Sequence, residues 1–278
     1  MRKKFYKMHG IGNDYVYFNC LTKEISNPEN LARKLSHRNF SIGGDGIILV
    51  CKSKVADAKM RIFNADGSEG KMCGNGIRCV AKLLYDLGKV NRKELTVETL
   101  SGIKRLWVYE GKDGKAQRVK VDMGKAEFSP AKIPVSLSGE SVISRRAQIG
   151  REEYAVTCVG MGNPHCVVFE DAPEPFERVG RAFETSPPFP EGVNTEFVQL
   201  INETTLRVRV WERGSGETLA CGTGACAATA AAVKNGYIKA GQDVTVQLKG
   251  GNLTVNYTEE KVFMTGDAAL AYTGVVEI

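Results

Sequence analysis

The sequence has no long hydrophobic run, little surplus charge and few histidines, and each shortage removes a class of protein. No stretch approaches the roughly 18 apolar residues of a membrane-spanning helix. The most apolar segment, Ala225 to Val233, is mostly alanine and is interrupted by Thr229. The 38 Lys and Arg exceed the 32 Asp and Glu by only +6. They are scattered singly or in pairs, so binding to nucleic acid or a membrane surface gains no support, whereas an anionic small molecule suits the mild field. Eight cysteines make up about 3% of the chain, far below the density of a disulfide scaffold. Zinc patterns are missing, because Cys73 to Cys79 and Cys221 to Cys226 are too widely spaced. There is no phosphate-binding glycine loop of standard spacing, and no lysine whose surroundings nominate it as a Schiff-base former. Residues Met1 to Gly10 lead into no signal-peptide core, so the reading places the chain in the cytoplasm with its thiols reduced.

What the sequence does have is length and repetition. Its 278 residues, 42% hydrophobic and 25% charged, suit two globular domains of about 140 residues each. The two halves repeat one another. Cys73-Gly74-Asn75-Gly76 and Cys221-Gly222-Thr223-Gly224 lie 148 positions apart, and the same offset relates Asn64 to Glu212, Glu69 to Glu217 and Gly88 to Gly236. Gly10-Ile11-Gly12-Asn13 matches Gly160-Met161-Gly162-Asn163 at an offset of 150, and Glu94 to Gly102 resembles Asp243 to Gly251 at 149.

Each half shows the same order of local signals. Apolar residues with an interleaved Arg, Met60 to Phe63 and Val208 to Trp211, predict a half-buried strand. A Gly/Ser turn follows, and the Cys-Gly-x-Gly element then opens a helix that stops at Gly88 or at Asn235-Gly236. The second helix is apolar on nearly all sides, which predicts burial inside its domain. Short strands are expected at Leu95–Glu98, Ile103–Tyr109, Arg118–Asp122, Val244–Leu248, Leu253–Tyr257 and Val262–Met264. The fold class is therefore α+β, with two pseudo-symmetric domains, each a curved antiparallel sheet wrapped around a central helix. Ser129 to Ser144 has the composition of an interdomain crossover, which places the boundary near residue 125, and the Pro-rich stretch from Pro173 to Pro190 reads as an irregular loop.

A cysteine at a helix N-terminus meets unpaired amides and the positive end of the dipole, which favour the thiolate and lower its pKa from about 8.5 toward neutrality. The glycines that follow let backbone approach a ligand, and the same amides bind carboxylates. Two such elements related by a repeat imply a pseudo-twofold axis that brings Cys73 and Cys221 toward each other across an interdomain cleft. A carbon held between two acid/base groups can lose a proton to one and regain it from the other, which is the geometry of a racemase or epimerase. Helix-end amides and exclusion of water would stabilise the carbanion-like transition state, and no cofactor or metal is demanded. The other six cysteines read as buried small hydrophobes, and a Cys73–Cys221 disulfide would be oxidative inactivation. His9 and His37 carry no motif. His165, in Gly162-Asn163-Pro164-His165, could orient substrate or tune a thiol. Asn13, Asn64, Asn163 and Asn194 suit a zwitterion. Arg213 could grip a carboxylate, and Glu212 could pair with an ammonium group or hold the network.

The sequence resembles the diaminopimelate epimerase family along its whole length. The resemblance rests on His9-Gly10-Ile11-Gly12-Asn13-Asp14-Tyr15, Phe63 to Glu69, Cys73 to Cys79, Gly162 to His165, Val193-Asn194, Trp211 to Glu217 and Cys221 to Gly224. It implies interconversion of LL- and meso-diaminopimelate, on the route to lysine and peptidoglycan precursors, without pyridoxal phosphate or metal. Cys73 and Cys221 would be the acid/base pair, supported by His165 and Glu212. Gly74 with Asn75, and Gly222 with Thr223, would hold the reacting carboxylate, while Asn13, Asn64, Asn163, Asn194, Glu212 and Arg213 position the rest of the substrate. Some relatives carry a pocket-lining Gln after the motif equivalent to Gly43-Gly44-Asp45, where this chain has Gly46. The resemblance also implies a homodimer and a last strand that crosses back, which gives domains of 1–125 plus 268–278 and 126–267. Proline racemase-like enzymes resemble a His in place of Asn75 and lack the Glu212-Arg213 pair. A non-catalytic amino-acid-binding or thiol-redox protein would need only one of the two cysteine elements.

Overall fold

A computed structural model of the chain describes residues 2–278, which fall into two compact units, 2–122 with Thr265–Ile278, and Met123–Met264. In the first unit the chain runs β1 (Arg2–Gly10), β2 (Asn13–Cys20), α1 (Pro28–Ser36), β3 (Gly46–Cys51), β4 (Ala58–Asn64), β5 (Glu69–Gly70), α2 (Gly74–Asp86), β6 (Glu94–Thr99), β7 (Gly102–Glu110) and β8 (Ala116–Gly124). The pairs β1/β2, β3/β4, β6/β7 and β7/β8 are antiparallel, whereas β2/β3 and β4/β6 are parallel. Alternation along β2 sends Val16, Phe18 and Cys20 to one face, where they pack with Leu31, Ala32 and Leu35 of α1. Tyr17 points the other way, and its hydroxyl donates to the Gly76 carbonyl of α2 at 3.3 Å. With helices on both faces, all six residues of β3 are buried, and Gly-Ile-Ile-Leu-Val-Cys reads as a continuous apolar run. Helix α2 ends as its sequence requires. Gly88 adopts φ 62, and the amides of Gly88 and Lys89 reach back to Tyr85 and Leu84.

The second unit repeats this order as β9 (Arg145–Ile149), β10 (Glu152–Gly160), β11 (Pro164–Val168), α3 (Phe176–Glu184), β12 (Asn194–Asn202), β13 (Thr205–Glu212), β14 (Gly216–Glu217), α4 (Gly222–Lys234), β15 (Asp243–Leu248), β16 (Gly251–Tyr257) and β17 (Val262–Asp267). The parallel contacts fall at the same places, β11/β12 and β13/β15, and His165 opposite Asn194 answers Tyr15 opposite Gly46. Helix α4 is buried all round from Gly224 to Ala232, and its alanines let β10 to β13, β15 and β16 pack close against it. Segment 129–144 supplies Ile133, Val135 and Val142 to this unit's core. The chain then enters β18 (Ala269–Glu277), which lies antiparallel to β1 in the first unit and places Arg2 opposite Glu277. Among the described residues no helix is long and apolar enough to cross a membrane.

The structure corrects three expectations. The sheets are mixed rather than wholly antiparallel, because β2/β3, β4/β6, β11/β12 and β13/β15 run parallel. Each unit holds a second helix, α1 or α3, on the face of the sheet opposite the central one. The stretch from Pro173 to Pro190 is not an irregular loop throughout, because α3 occupies its middle. Phe176, Val179, Gly180 and Phe183 share one buried face at helical spacing, and the prolines fall outside the helix ends. Gly180 is needed there, since a Cβ would lie 2.3 Å from the Trp211 ring.

Candidate active site

In the first unit Cys73 is the N-cap of α2, with extended backbone at φ −135 and ψ 118. Its sulfur accepts the Gly76 amide at 3.2 Å and donates to Asn13 Oδ1 at 3.3 Å. This replaces the usual Ser or Asp cap with a group that titrates. Gly74 and Asn75 are buried in the first turn. A side chain in place of Gly76 would have to displace Ile48, whose Cδ1 lies 2.7 Å from where a Cβ would sit. Asn13 begins β2, and its Nδ2 donates to Asp45 Oδ2 at 2.7 Å. Asp45 is fixed in turn by the Asp14 amide at 3.1 Å and by Arg38 Nη2 at 2.8 Å. Burial works against the charge on Asp14, but hydrogen bonds from Arg38 and Lys7 outweigh it and hold that carboxyl below its usual range. Asn64, at the end of β4, donates to Ser68 Oγ at 3.0 Å and is not tied to Cys73. Gly46 has no room for any side chain, as a Cβ would sit 2.1 Å from the Phe63 carbonyl oxygen.

In the second unit Cys221 caps α4 in the same way, at φ −113 and ψ 112, and accepts the Gly224 amide at 3.3 Å. Thr223 Oγ1 lies 3.4 Å from its sulfur, and Gly222 begins the turn. Here the helix-end expectation fails in sign. Cys221 is only 4% exposed, and burial, with Glu212 and Glu196 close by, pushes its thiol well up rather than down. Burial also raises the Glu212 carboxyl, which accepts from Thr218 Oγ1 at 2.6 Å and stands beside Cys221. His165 is fully buried, with Nδ1 2.7 Å from Glu196 Oε1 and Nε2 3.0 Å from Asn163 Oδ1. Asn163 Nδ2 reaches Thr223 Oγ1 at 3.4 Å, so a chain of hydrogen bonds runs from His165 through Asn163 and Thr223 to Cys221.

Asn194 is committed to backbone. Its Nδ2 donates to the Pro164 carbonyl at 2.7 Å, and its Oδ1 accepts the Arg213 amide at 3.0 Å. The Arg213 side chain is exposed and donates to the Glu191 carbonyl at 2.7 Å. Two carboxylates behind these groups, Asp45 and Glu196, escape the sequence reading. Asp45 stands within a motif read for its glycines, and Glu196 lies two residues past Asn194, where its burial under Gly224 leaves no trace in the pattern. All eight cysteines are free thiols, and the six outside the helix caps are buried. A cavity of about 780 Å³ in the first unit is lined by Leu83, Leu87, Gln117 and Leu270 and by none of the candidate residues.

These features define a protein made of two copies of one α+β unit, each with a titratable cysteine capping its buried central helix. The architecture is shared with a phenazine biosynthesis protein of the PhzF family from Bacillus anthracis, at a TM-score of 0.74 and 16% identity over 100% of both chains. A hydroxyproline epimerase from Agrobacterium vitis has the same fold, at a TM-score of 0.72 and 15% identity over 99% of this chain and 92% of that one. The chain belongs to the diaminopimelate epimerase family, whose model, described as diaminopimelate epimerase, matches residues 5–129 and 157–271. The diaminopimelate epimerase of Acetivibrio thermocellus is 48% identical over 99% of each chain.

Proposed function

We propose that this protein interconverts LL- and meso-diaminopimelate, with Cys73 and Cys221 as the two bases, in the lysine branch of cytoplasmic amino-acid biosynthesis and as a homodimer. The observation that carries the reading is the paired capping geometry, in which Gly76 and Gly224 donate to the two sulfurs at 3.2 and 3.3 Å. One cysteine takes the α-proton as thiolate while the other, as thiol, returns a proton to the opposite face of the carbon. The roles exchange when the reaction reverses.

Within each unit the chain's own groups serve this chemistry. The capping amide steadies a thiolate at the moment it forms. The remaining first-turn amides, at Gly74 with Asn75 and at Gly222 with Thr223, face outward from the helix ends and suit the α-carboxylate, where charge develops in the transition state. Cys221, whose thiol burial stabilises, needs a partner to take its proton, and Glu212 stands beside it. Arg213 recognises the distal, non-reacting centre by its exposed guanidinium, while Asn13, Asn163 and Asn194, whose amides are bonded within the protein, brace the site. Neither metal nor pyridoxal phosphate is part of this scheme.

Heavy water tests it. Diaminopimelate incubated with the enzyme should acquire deuterium at the α-carbon as the isomers equilibrate, read by mass spectrometry beside proline and hydroxyproline. Diaminopimelate recovered unlabelled after prolonged incubation would falsify the two-base assignment, and label in proline alone would transfer the protein to another substrate.

A further inference from the structure

The geometry points to Asp45 as a positioning residue that fixes which end of the Asn13 amide faces Cys73, and so holds the proton on that thiol. An asparagine amide has a donor end and an acceptor end, and a half-turn about its last bond exchanges them. Asp45 removes the choice. Its carboxylate only accepts, so the 2.7 Å contact must come from Asn13 Nδ2, which leaves Oδ1 toward the sulfur at 3.3 Å. An oxygen acceptor can hydrogen-bond a thiol and cannot hydrogen-bond a thiolate. The Asn13 contact therefore favours protonated Cys73, in opposition to the Gly76 amide on the sulfur's other side at 3.2 Å.

Asp45 is itself held against rotation. Its Oδ1 takes Arg38 Nη2 at 2.8 Å, its Oδ2 also accepts the Asp14 amide at 3.1 Å, and its own amide donates to the Asp14 carbonyl at 2.7 Å. Arg38 bridges on to Asp14 Oδ1 at 2.7 Å, and Lys7 pairs with the other oxygen of Asp14 and with the Gly43 carbonyl. The second unit has no carboxylate at this place, since Val193 precedes Asn194 there as Asp45 precedes Gly46 here. The two cysteines thus share a helix cap and differ in what stands behind it. The other titratable or charged groups that face Cys73 include Tyr17 on β2 and Arg78 and Cys79 on α2. Burial keeps Tyr17 neutral and lifts Cys79 to about 11, so neither contributes charge near neutrality, and Arg78 favours the thiolate.

The consequence for Cys73 rests on the epimerase reading only for its catalytic meaning, so the test uses no substrate. Trypsin releases Met72–Arg78, in which Cys73 is the only cysteine, and its alkylation by iodoacetamide can be followed against pH by mass spectrometry. In Asp45→Ala the freed amide can turn its NH2 to the sulfur, and the alkylation midpoint should fall by about 0.5–1 pH unit. Asp45→Asn, which keeps the volume, should move it the same way and serves if the alanine variant does not fold. The cycle with Asn13→Ala separates orientation from charge. In that background replacing Asp45 should move the midpoint no further. A midpoint unchanged or raised by Asp45 replacement overturns the proposal, and so does an equal fall with and without Asn13, which would reduce Asp45 to a nearby negative charge. Loss of epimerase activity with no midpoint shift would leave the two-base reading standing and remove this one.

Discussion

Glu212 carries a carboxylate that solvation would prefer to keep outside. Burial raises its folded pKa above the ordinary 4.5, so between the two values the folded state keeps a proton that the unfolded state has lost. Stability therefore declines as pH rises through that window. Glu212→Gln has nothing to ionise, so it should melt higher than the parent at pH 7, and the gap should close below about pH 4, where both forms are neutral. The same variant should lower kcat by about 10²-fold or more, because the base beside Cys221 is gone. Thermal melts across pH together with an epimerisation assay check both halves. An unchanged kcat would remove Glu212 from proton transfer, and a variant that melts lower at pH 7 would show that its hydrogen bonds outweigh the buried charge. At this scale the sequence revealed residue types but not their environments. Cys221 looked like a lowered thiol from its helix end alone, and the burial that reverses the sign is created by β13 and β12 folding around it.

At the scale of elements, legibility follows how local the determinant is. The strand before each cap, the cap, the central helix and its glycine stop were all readable, because capping, periodicity and the positive φ at Gly88 and Gly236 are set within a few residues. Helices α1 and α3 were missed because each has only nine residues and a buried stripe of five or four residues respectively, and α3 was masked by flanking prolines. The parallel pairings β2/β3 and β4/β6 join segments distant in sequence, so no local signal marked them and the sheets read as wholly antiparallel. Gly46 shows how one such contact constrains chemistry. At Gly46, where the family resemblance suggests room for a Gln, β4 passes so close that a Cβ would be 2.1 Å from the Phe63 carbonyl oxygen. Gly46→Gln should therefore cost about 1–3 kcal/mol of stability in urea titration rather than tighten substrate binding. A variant as stable as the parent would show that β3 and β4 can separate there.

On the scale of the molecule, the repeat is complete in space and broken in sequence. Strand β9 stands directly before β10, whereas β18, its counterpart beside β1, arrives after all the other strands. Removing residues 269–278 should strip β1 of its β18 neighbour from Arg2 to His9, leaving only β2 beside it from Tyr6 to Gly10. Hydrogen exchange should then quicken in β1 and β2 while β10 to β13 keep their protection. Uniform protection in the shortened chain would show that β18 is dispensable, and uniform loss would show that the two units unfold as one. The interrupted order also bears on synthesis. A ribosome finishes every contact of the second unit by residue 264, but it cannot finish those of the first until it has made residues 265–278. The half of the polypeptide translated first is thus completed last, and for that interval β1 offers an open strand edge to anything in the cell able to pair with it.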